Sequence, residues 1–347
     1  MFAERIEGKW IDAFGEVFDR CAVKRGDTAA ILSETQSRAL NVHVAELALL
    51  RLGARPFHVV LPTPRNAHPV PVRSTGASEA IGQLAPVVAA LAQAGFVVDC
   101  TIEGLMHAPE TAAILKAGAR ILVISNEHPE ALERMTPDGA LEKSVRAAVR
   151  MLRGAKRMTV ASAAGSQLDI AIAGASSVGV WGWTDRPGTL AHWPGGIVVS
   201  FCKSGSVNGT LVLDRGDINL TFKRYLESQV RLTVEADYIT RIEGDGADAE
   251  LMKGYLAAWG DREAYAVSHV GFGLNRRARY EALAMYDRQH TNGTELRAVA
   301  GNFLFSTGAN EFAGRYTAGH FDIPVMRTTI ALDDTEVISD GVLRDIF

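Results

Sequence analysis

The chain has 347 residues, 47% of them hydrophobic and 22% charged, and this length can supply two hydrophobic cores of ordinary size. The formal net charge is -4, and no basic run alternates with aromatic residues, so nucleic acid is not an expected partner. Apolar stretches stay shorter than the roughly 18 residues of a membrane span, so we expect no membrane insertion and a cytoplasmic protein.

The first 155 residues alternate apolar strands with helical patterns. The N-terminal segment mixes acids and bases at a period near 3.6, which predicts a surface helix rather than a signal peptide. Four short β-branched runs follow: DTAAILS, PFHVVLP, GFVVDC and ARILVIS. Helical patterns over residues 37–54 and 78–95 separate them, and another over 141–155 closes this half. This order predicts right-handed βαβ units, so residues 1–155 are predicted to form an α/β domain with a parallel sheet.

The pattern changes after residue 155. Seven strand-like runs end in Gly, Asp or Asn turns at intervals of roughly ten residues, which predicts antiparallel sheet. A helix is predicted over 248–260, then a loop carrying SHVGFGLN, a helix over 276–289 and a strand over 299–308. Residues 156–347 are therefore predicted to form a mixed α+β domain rich in antiparallel strands.

The three cysteines, Cys21, Cys100 and Cys202, lie far apart and show no paired spacing. An odd count without a C-x-x-C motif argues against both a disulfide framework and a thiolate metal site, so buried thiols are expected. The chain also lacks a dinucleotide fingerprint, a P-loop and a G-x-S-x-G elbow, which disfavours nucleotide-dependent chemistry.

Three residues could hold a metal ion: His269 in SHVGFG, and His320 with Asp322 in GHFDIP. On a strand, positions i and i+2 point to the same face, so His320 and Asp322 can approach one ion while Phe321 turns into a core. A third ligand, His269, would complete a set of two histidines and one carboxylate, which suits ferrous iron or zinc. An isolated H-x-D pair is common by chance, and from the pair alone a hydrogen-bonded histidine with a solvated aspartate is the favoured explanation.

Two further histidines are candidates for a site. His107 follows the third predicted strand, where open α/β sheets carry functional loops. His192 lies in a loop rich in proline and glycine, whose shape is expected to be fixed. Structural roles are expected for His43 and His58, and solvent exposure is expected for His68, His128 and His290.

Several stretches of the second half, taken in order, resemble the 2,5-dihydroxypyridine 5,6-dioxygenase family. They are WGWTDRPGTLAHWPGG, GTLVLDRGDINLTFK, SHVGFGLNRRARY, GNFLFSTGAN and HFDIP. The resemblance covers most of residues 90–340 and is densest after 180. It implies a fold related to the M29, aminopeptidase T-like metallopeptidases.

The resemblance also implies a chemistry. Family members bind a non-haem Fe(II) ion that takes a hydroxylated pyridine and dioxygen, and both oxygen atoms enter the product, N-formylmaleamate. Carried over to this chain, the ligands are His269, His320 and Asp322, and His107 or His192 handles protons. The expected partners are a small aromatic substrate and O2, and a homo-oligomer is expected.

The sequence departs from the family pattern at one place. An acidic residue is expected before the aromatic-Gly-aromatic stretch, where this chain has Val180, so the expected ring substrate is 2,5-dihydroxypyridine or a close relative. Residues 33–41 are the one candidate for a substrate-facing loop in the first half. A metal hydrolase of the M29 type is the alternative, but a two-metal site needs more carboxylates than the surface candidates Asp287 and Glu311 would supply.

Overall fold

The computed structural model describes residues 5–65, 76–124 and 126–347 of the chain. The expected exposure of His68 and the last residue of the predicted strand 119–125 fall outside these residues. Within the described chain, no helix has both the length and the apolar character needed to cross a membrane. The α-helices, in chain order, are α1 Gly8–Arg20, α2 Ala39–Arg51, α3 Ala85–Gln93, α4 Thr111–Lys116, α5 Pro129–Arg134, α6 Gly139–Gly154, α7 Ala247–Ala258, α8 Ala282–Met285 and α9 Thr294–Ala298.

In the part of the chain that the structure describes, twenty strands form four sheets. The first ten strands are β1 Thr28–Glu34, β2 Arg55–Leu61, β3 Phe96–Asp99, β4 Arg120–Val123, β5 Arg157–Ala161, β6 Gln167–Ala171, β7 Ser176–Val180, β8 Leu190–His192, β9 Ile197–Phe201 and β10 Val207–Leu213. The remaining strands are β11 Ile218–Asn219, β12 Arg224–Tyr225, β13 Val230–Glu235, β14 Tyr238–Glu243, β15 Val267–Gly273, β16 Phe303–Asn310, β17 Arg315–Val325, β18 Thr329–Leu332, β19 Thr335–Ser339 and β20 Val342–Leu343.

The parallel sheet has the strand order β2-β1-β3-β4-β8. Alternate residues of β1 enter two different cores: Ala29 and Ile31 pack with α1 and α2, whereas Ala30 and Leu32 pack with α3 and α4. Because both faces of the strand are buried, its sequence is continuously apolar, as expected for a sheet covered by helices on both sides. The predicted α/β arrangement of the first half is confirmed.

The last strand of the parallel sheet comes from the second half of the chain. Strand β8 pairs in parallel with β4, and Trp193 directly after it lies in the same core as α1, with its ring 5.0 Å from that of Phe14. The boundary predicted near residue 155 falls between α6 and β5, and it stays a prediction.

Two antiparallel sheets dominate the rest of the chain, as predicted. One has eight strands in the order β14-β13-β10-β6-β5-β18-β19-β20, and the other has five in the order β17-β16-β15-β9-β7. Residues from one face of the five-stranded sheet, including Val270, Phe305 and Phe321, share a hydrophobic core with the eight-stranded sheet and with α6 and α7. The opposite face of the five-stranded sheet is therefore free to form a site.

Three predictions for the second half were wrong. SHVGFG is not a loop, because Val267–Gly273 forms the fully buried central strand β15. His192 is the last residue of β8 rather than part of a loop. The helix predicted over 276–289 is limited to α8, and turns replace the rest of it. Arg277 contacts Asp138 and the backbone of Arg279 contacts Glu295, and neither arginine lies in a helix. The buried thiols are confirmed, since Cys21, Cys100 and Cys202 are all buried and unpaired.

Candidate metal centre

The five-stranded antiparallel sheet brings His269, His320 and Asp322 together. His269 lies on β15, the other two lie on β17, and β16 runs between these strands. One ligand atom from each residue lies within 4.8 Å of the other two. Nε2 of His320 is 3.2 Å from Oδ1 of Asp322, and Nε2 of His269 is 3.7 Å from the same oxygen.

Strand alternation places these donors on one face. Phe321, between His320 and Asp322, is fully buried in the core on the other side of the sheet. The register aligns His269 with Ser306 on β16, and Ser306 with Asp322 on β17. A histidine, a serine and an aspartate therefore stand side by side across three neighbouring strands.

Hydrogen bonds determine which nitrogen of His269 faces the site. The Ser268 hydroxyl donates its proton to the carbonyl oxygen of Ala309 at 2.5 Å, so it can only accept from Nδ1 of His269, which lies 3.1 Å away. Nδ1 of the neutral ring thus carries the hydrogen, and the lone pair of Nε2 is available as a ligand.

The carboxylate of Asp322 is held from two sides. Ser306 donates its hydroxyl proton to Oδ1, and Nε of Arg297 donates to Oδ2. Burial alone would raise the pKa of Asp322, but the His320 imidazole and the Arg297 guanidinium hold it well below its usual range. The carboxylate is therefore ionised at neutral pH.

These donors face a cavity of about 160 Å³. The charged and polar residues of its lining are Glu103, His107, His192, His269, Asn292, Thr294, Arg297, His320 and Asp322. The apolar wall of the cavity is built from Val178 and Val180 of β7, Ile197 and Val199 of β9, and Leu304 of β16. A cavity that combines an apolar surface with several polar groups suits a ring that carries polar substituents.

The carboxyl edge of the parallel sheet closes the cavity. Val123 and His192, the last residues of β4 and β8, both line it. His107 arrives on the loop after β3, with its ring centroid 5.4 Å from that of His320. The site therefore lies between the end of one sheet and the face of another, and it gathers both histidines that the sequence analysis selected beside the triad.

Both of these histidines are neutral at physiological pH. Burial lowers the pKa of His192 to about 4, although the hydrogen bond to the carbonyl of Pro194 opposes the shift. Nδ1 of His192 lies 2.6 Å from the carbonyl oxygen of Pro194, which can only accept a hydrogen bond. The ring hydrogen is therefore on Nδ1, and Nε2 is left as the proton acceptor. The side chain of His107 is exposed and lines the cavity. Desolvation by the surrounding protein, together with the nearby His320, lowers its pKa to about 4.

The three donors fit a metal ion. Ligands must be deprotonated, and burial lowers the pKa of His269 to about 3, so that its imidazole is neutral beside an ionised Asp322. Two imidazoles and one carboxylate leave open coordination positions on a ferrous ion, and one on zinc. The serines and Arg297 supply the outer hydrogen bonds that orient such ligands.

Several functional neighbours were not found from the sequence. Arg297 and Ser306 contact Asp322 directly, and Phe201 packs on His269 with ring centroids 5.1 Å apart. A serine inside the otherwise apolar stretch FLFS was the available signal for Ser306, since a buried polar residue needs a partner. Arg297 gave no comparable signal.

Of the remaining residues that the sequence analysis named and the structure describes, Val180 is the one that belongs to the cavity. Val180 lines the cavity, but among the described residues around it none comes from residues 33–41. Asp287 and Glu311 are exposed and do not belong to the cavity lining. His128 and His290 are half-buried rather than exposed, because His128 stacks on Tyr286 at 5.4 Å and contacts the ring of His290.

Replacing Ser306 by alanine is expected to weaken metal binding about 10–100-fold, because Asp322 loses the hydrogen bond that orients it. Titration of the metal-free protein with Fe(II) or Co(II) measures the change. Thr307→Val is the matched control, since that neighbouring buried hydroxyl has no hydrogen-bond partner. Equal affinities for the two variants would show that the Ser306 bond has no role in the site.

The fold and the converging donors define the two-histidine, one-carboxylate class of site on a two-part α/β and antiparallel scaffold. A profile of the NicX family, 2,5-dihydroxypyridine 5,6-dioxygenase, matches residues 9–345. The chain is 37% identical over 335 residues to the 2,5-dihydroxypyridine 5,6-dioxygenase of Pseudomonas putida KT2440, covering 94% of each protein. The chain belongs to this family.

Solved structures agree with this assignment. The 2,5-dihydroxypyridine dioxygenase structure from Pseudomonas putida KT2440 superposes with a TM-score of 0.90 at 35% identity, covering 97% of both chains. AmpT from Thermus thermophilus superposes with a TM-score of 0.66 at 14% identity, covering 96% of this chain and 99% of that one. At that identity, the likeness to AmpT shows a shared fold alone.

Proposed function

We propose that this protein is a ring-opening dioxygenase that acts on 2,5-dihydroxypyridine or a closely related hydroxylated N-heteroaromatic ring. The observation that carries the proposal is the cavity in which His269, His320 and Asp322 converge, in a chain 37% identical to a 2,5-dihydroxypyridine 5,6-dioxygenase over 94% of its length. Both atoms of O2 enter the ring-opened product, which for 2,5-dihydroxypyridine is N-formylmaleamate.

The proposed cofactor is Fe(II), held by His269, His320 and Asp322. A ferrous ion in this donor set supplies open coordination positions and the redox chemistry that dioxygen requires. Arg297 keeps Asp322 ionised and oriented through its Nε hydrogen bond. The apolar wall, which includes Val178 and Val199, offers the ring a surface that does not compete for its hydrogen bonds.

Protons are handled by the two neutral histidines beside the triad. His107 is the first candidate, because its ring contacts that of the ligand His320 and lines the cavity. His192 is the second, because its Nδ1 hydrogen is engaged by Pro194 and its Nε2 can take a proton from a substrate hydroxyl. A positioned imidazole of this kind contributes about 10²–10⁴-fold to the rate.

Val180 bears on the exact substrate. It lies in the apolar wall, at the position where the family resemblance leads us to expect an acidic residue. A ring edge that faces Val180 gains no charged contact there, so the ring substituents of the preferred substrate are left open between 2,5-dihydroxypyridine and its relatives. A cytoplasmic, homo-oligomeric enzyme is part of the same proposal.

The test is oxygen uptake by anaerobically iron-loaded protein given 2,5-dihydroxypyridine, with the aromatic absorbance followed in the same sample. We expect one O2 to be consumed for each ring lost, and no consumption by zinc-loaded protein. Hydroxypyridines that lack one hydroxyl group define which ring oxygens are needed. If oxygen is untouched while zinc- or cobalt-loaded protein cleaves peptides, the hydrolase alternative is correct.

A further inference from the structure

Two buried carboxylates stand at the carboxyl ends of neighbouring parallel strands. Glu34 is the last residue of β1 and Asp99 is the last residue of β3. The chain order reverses between these strands, and open α/β sheets usually bind a ligand in the crevice at this point. Here the loop of residues 100–107 fills the crevice, and that loop carries His107 to the cavity.

Asp99 binds this loop with both carboxylate oxygens. Oδ1 accepts the backbone N–H of Thr101 at 2.9 Å and its hydroxyl at 2.6 Å, and Oδ2 accepts the N–H of Leu105 at 2.6 Å. The Thr101 hydroxyl oxygen in turn accepts the N–H of Gly104 at 3.2 Å. One fully buried side chain therefore binds the loop at residues 101 and 105.

Glu34 joins the same loop to the segment that crosses it. Its Oε1 accepts the N–H of Ile102 at 3.1 Å and the hydroxyl of Ser78 at 2.9 Å. The N–H of Ser78 donates to the carbonyl of Gly104, and the N–H of His107 donates to the carbonyl of Gly76, both at 2.8 Å. The backbone of His107 is thus held within the network that Glu34 and Asp99 support.

The two carboxylates carry an electrostatic cost. Burial raises the pKa of Asp99 to about 6, with Glu34 adding to the shift, while the hydrogen bonds from Thr101 and Leu105 oppose it. A pair of buried acids is an expensive way to stabilise a loop whose shape serves no other purpose. Their hydrogen bonds go to the loop that carries His107, which accounts for their position.

We propose that Glu34 and Asp99 are positioning residues that hold the 100–107 loop so that the His107 imidazole faces the substrate cavity beside His320. This inference rests on the proposed proton-handling role of His107. Neither carboxylate belongs to the cavity lining, so both act through the loop.

The first test compares Glu34→Met with Glu34→Gln. Glutamine keeps an Oε1 that can accept both bonds, whereas methionine has a similar length and no acceptor. We expect Glu34→Met to lower kcat about tenfold with KM and iron content unchanged, and Glu34→Gln to stay within about twofold of the wild type. In a His107→Ala background, Glu34→Met should cause no further loss, because the residue through which it acts is gone.

A second measurement does not depend on catalysis. Hydrogen exchange of the peptide over residues 100–108, followed by mass spectrometry, should be at least about tenfold faster in Glu34→Met and unchanged in Glu34→Gln. Thr101→Val and Thr101→Ser give the same comparison for Asp99, since serine restores the hydroxyl that valine lacks.

The outcomes separate the two proposals. A wild-type protein that consumes no oxygen with any hydroxypyridine overturns the proposed function, while the exchange measurement still decides whether the carboxylates fix the loop. Unchanged exchange in Glu34→Met, or an equal loss of kcat with and without His107, overturns the positioning role.

Discussion

Replacing Asp322 by asparagine is expected to lower oxygen consumption about 1,000-fold or more and to leave the purified protein without stoichiometric iron. Loss of an outer hydrogen bond to a ligand costs about 10–100-fold in metal affinity, and we expect loss of the one charged side chain among the three proposed ligands to cost more. Asparagine keeps the size of the side chain, but it removes the negative charge that faces Arg297 and two imidazoles. Arg297 would then be a cation without its partner beside the metal position.

Elemental analysis measures the iron content of the purified variant, and oxygen uptake at a fixed iron concentration measures its rate of oxygen consumption. Glu311→Gln is the control, because it also removes one carboxylate, from the turn between β16 and β17, but on an exposed residue outside the cavity. Iron bound at full occupancy in Asp322→Asn would show that this carboxylate is not a ligand.

Replacing Phe321 by alanine is expected to lower the free energy of unfolding by about 3–5 kcal/mol, the usual range for removing a buried aromatic ring. The ring is fully buried and lies 5.0 Å from that of Tyr255 in the core shared by the two antiparallel sheets. Urea unfolding of the metal-free protein, followed by tryptophan fluorescence, measures the loss.

Tyr316 supplies the comparison on the same strand. Its side chain is 74% exposed, so Tyr316→Ala should change the free energy of unfolding by less than about 0.5 kcal/mol. A small effect of Phe321→Ala would contradict the alternation that places His320 and Asp322 on the opposite face of β17.

Local sequence patterns predicted much of the fold. The apolar runs of β1 to β4 and the amphipathic patterns of α1, α2 and α6 are decided by short-range periodicity, and all of them form. The shared face of His320 and Asp322 could be predicted for the same reason, because alternation along one strand is a local property.

Elements decided by distant contacts could not be predicted in this way. Strand β15 contains Ser268, Gly271 and Gly273, a composition that predicts a loop. It is a strand because β9 and β16 pair with its two edges. No residue with a side chain fits at position 271 in this strand, since a Cβ there would lie 1.9 Å from the carbonyl oxygen of Val198. Tertiary packing overrides the weak strand preference of glycine.

In the candidate site, too, some features could be predicted from the sequence and others depend on contacts between distant residues. Family resemblance selected His269, but only the register between β15, β16 and β17 shows that Ser306 stands between it and Asp322. Arg297 lies 25 residues from Asp322 in sequence, and no pattern in TELRA indicates that its side chain turns towards β17. Contacts between separate elements are set by the fold as a whole.

The return of β8 to the parallel sheet limits how this protein can be divided. A polypeptide that stopped near residue 155 would contain four of the five strands and would leave one edge of β4 unpaired, an arrangement that invites association with other chains. It would also lack Trp193, whose indole N–H donates to the carbonyl of Met135. A chimaera between relatives that changes parent near residue 155 would therefore take β8 and its partner β4 from different proteins, because the first half is completed by the second.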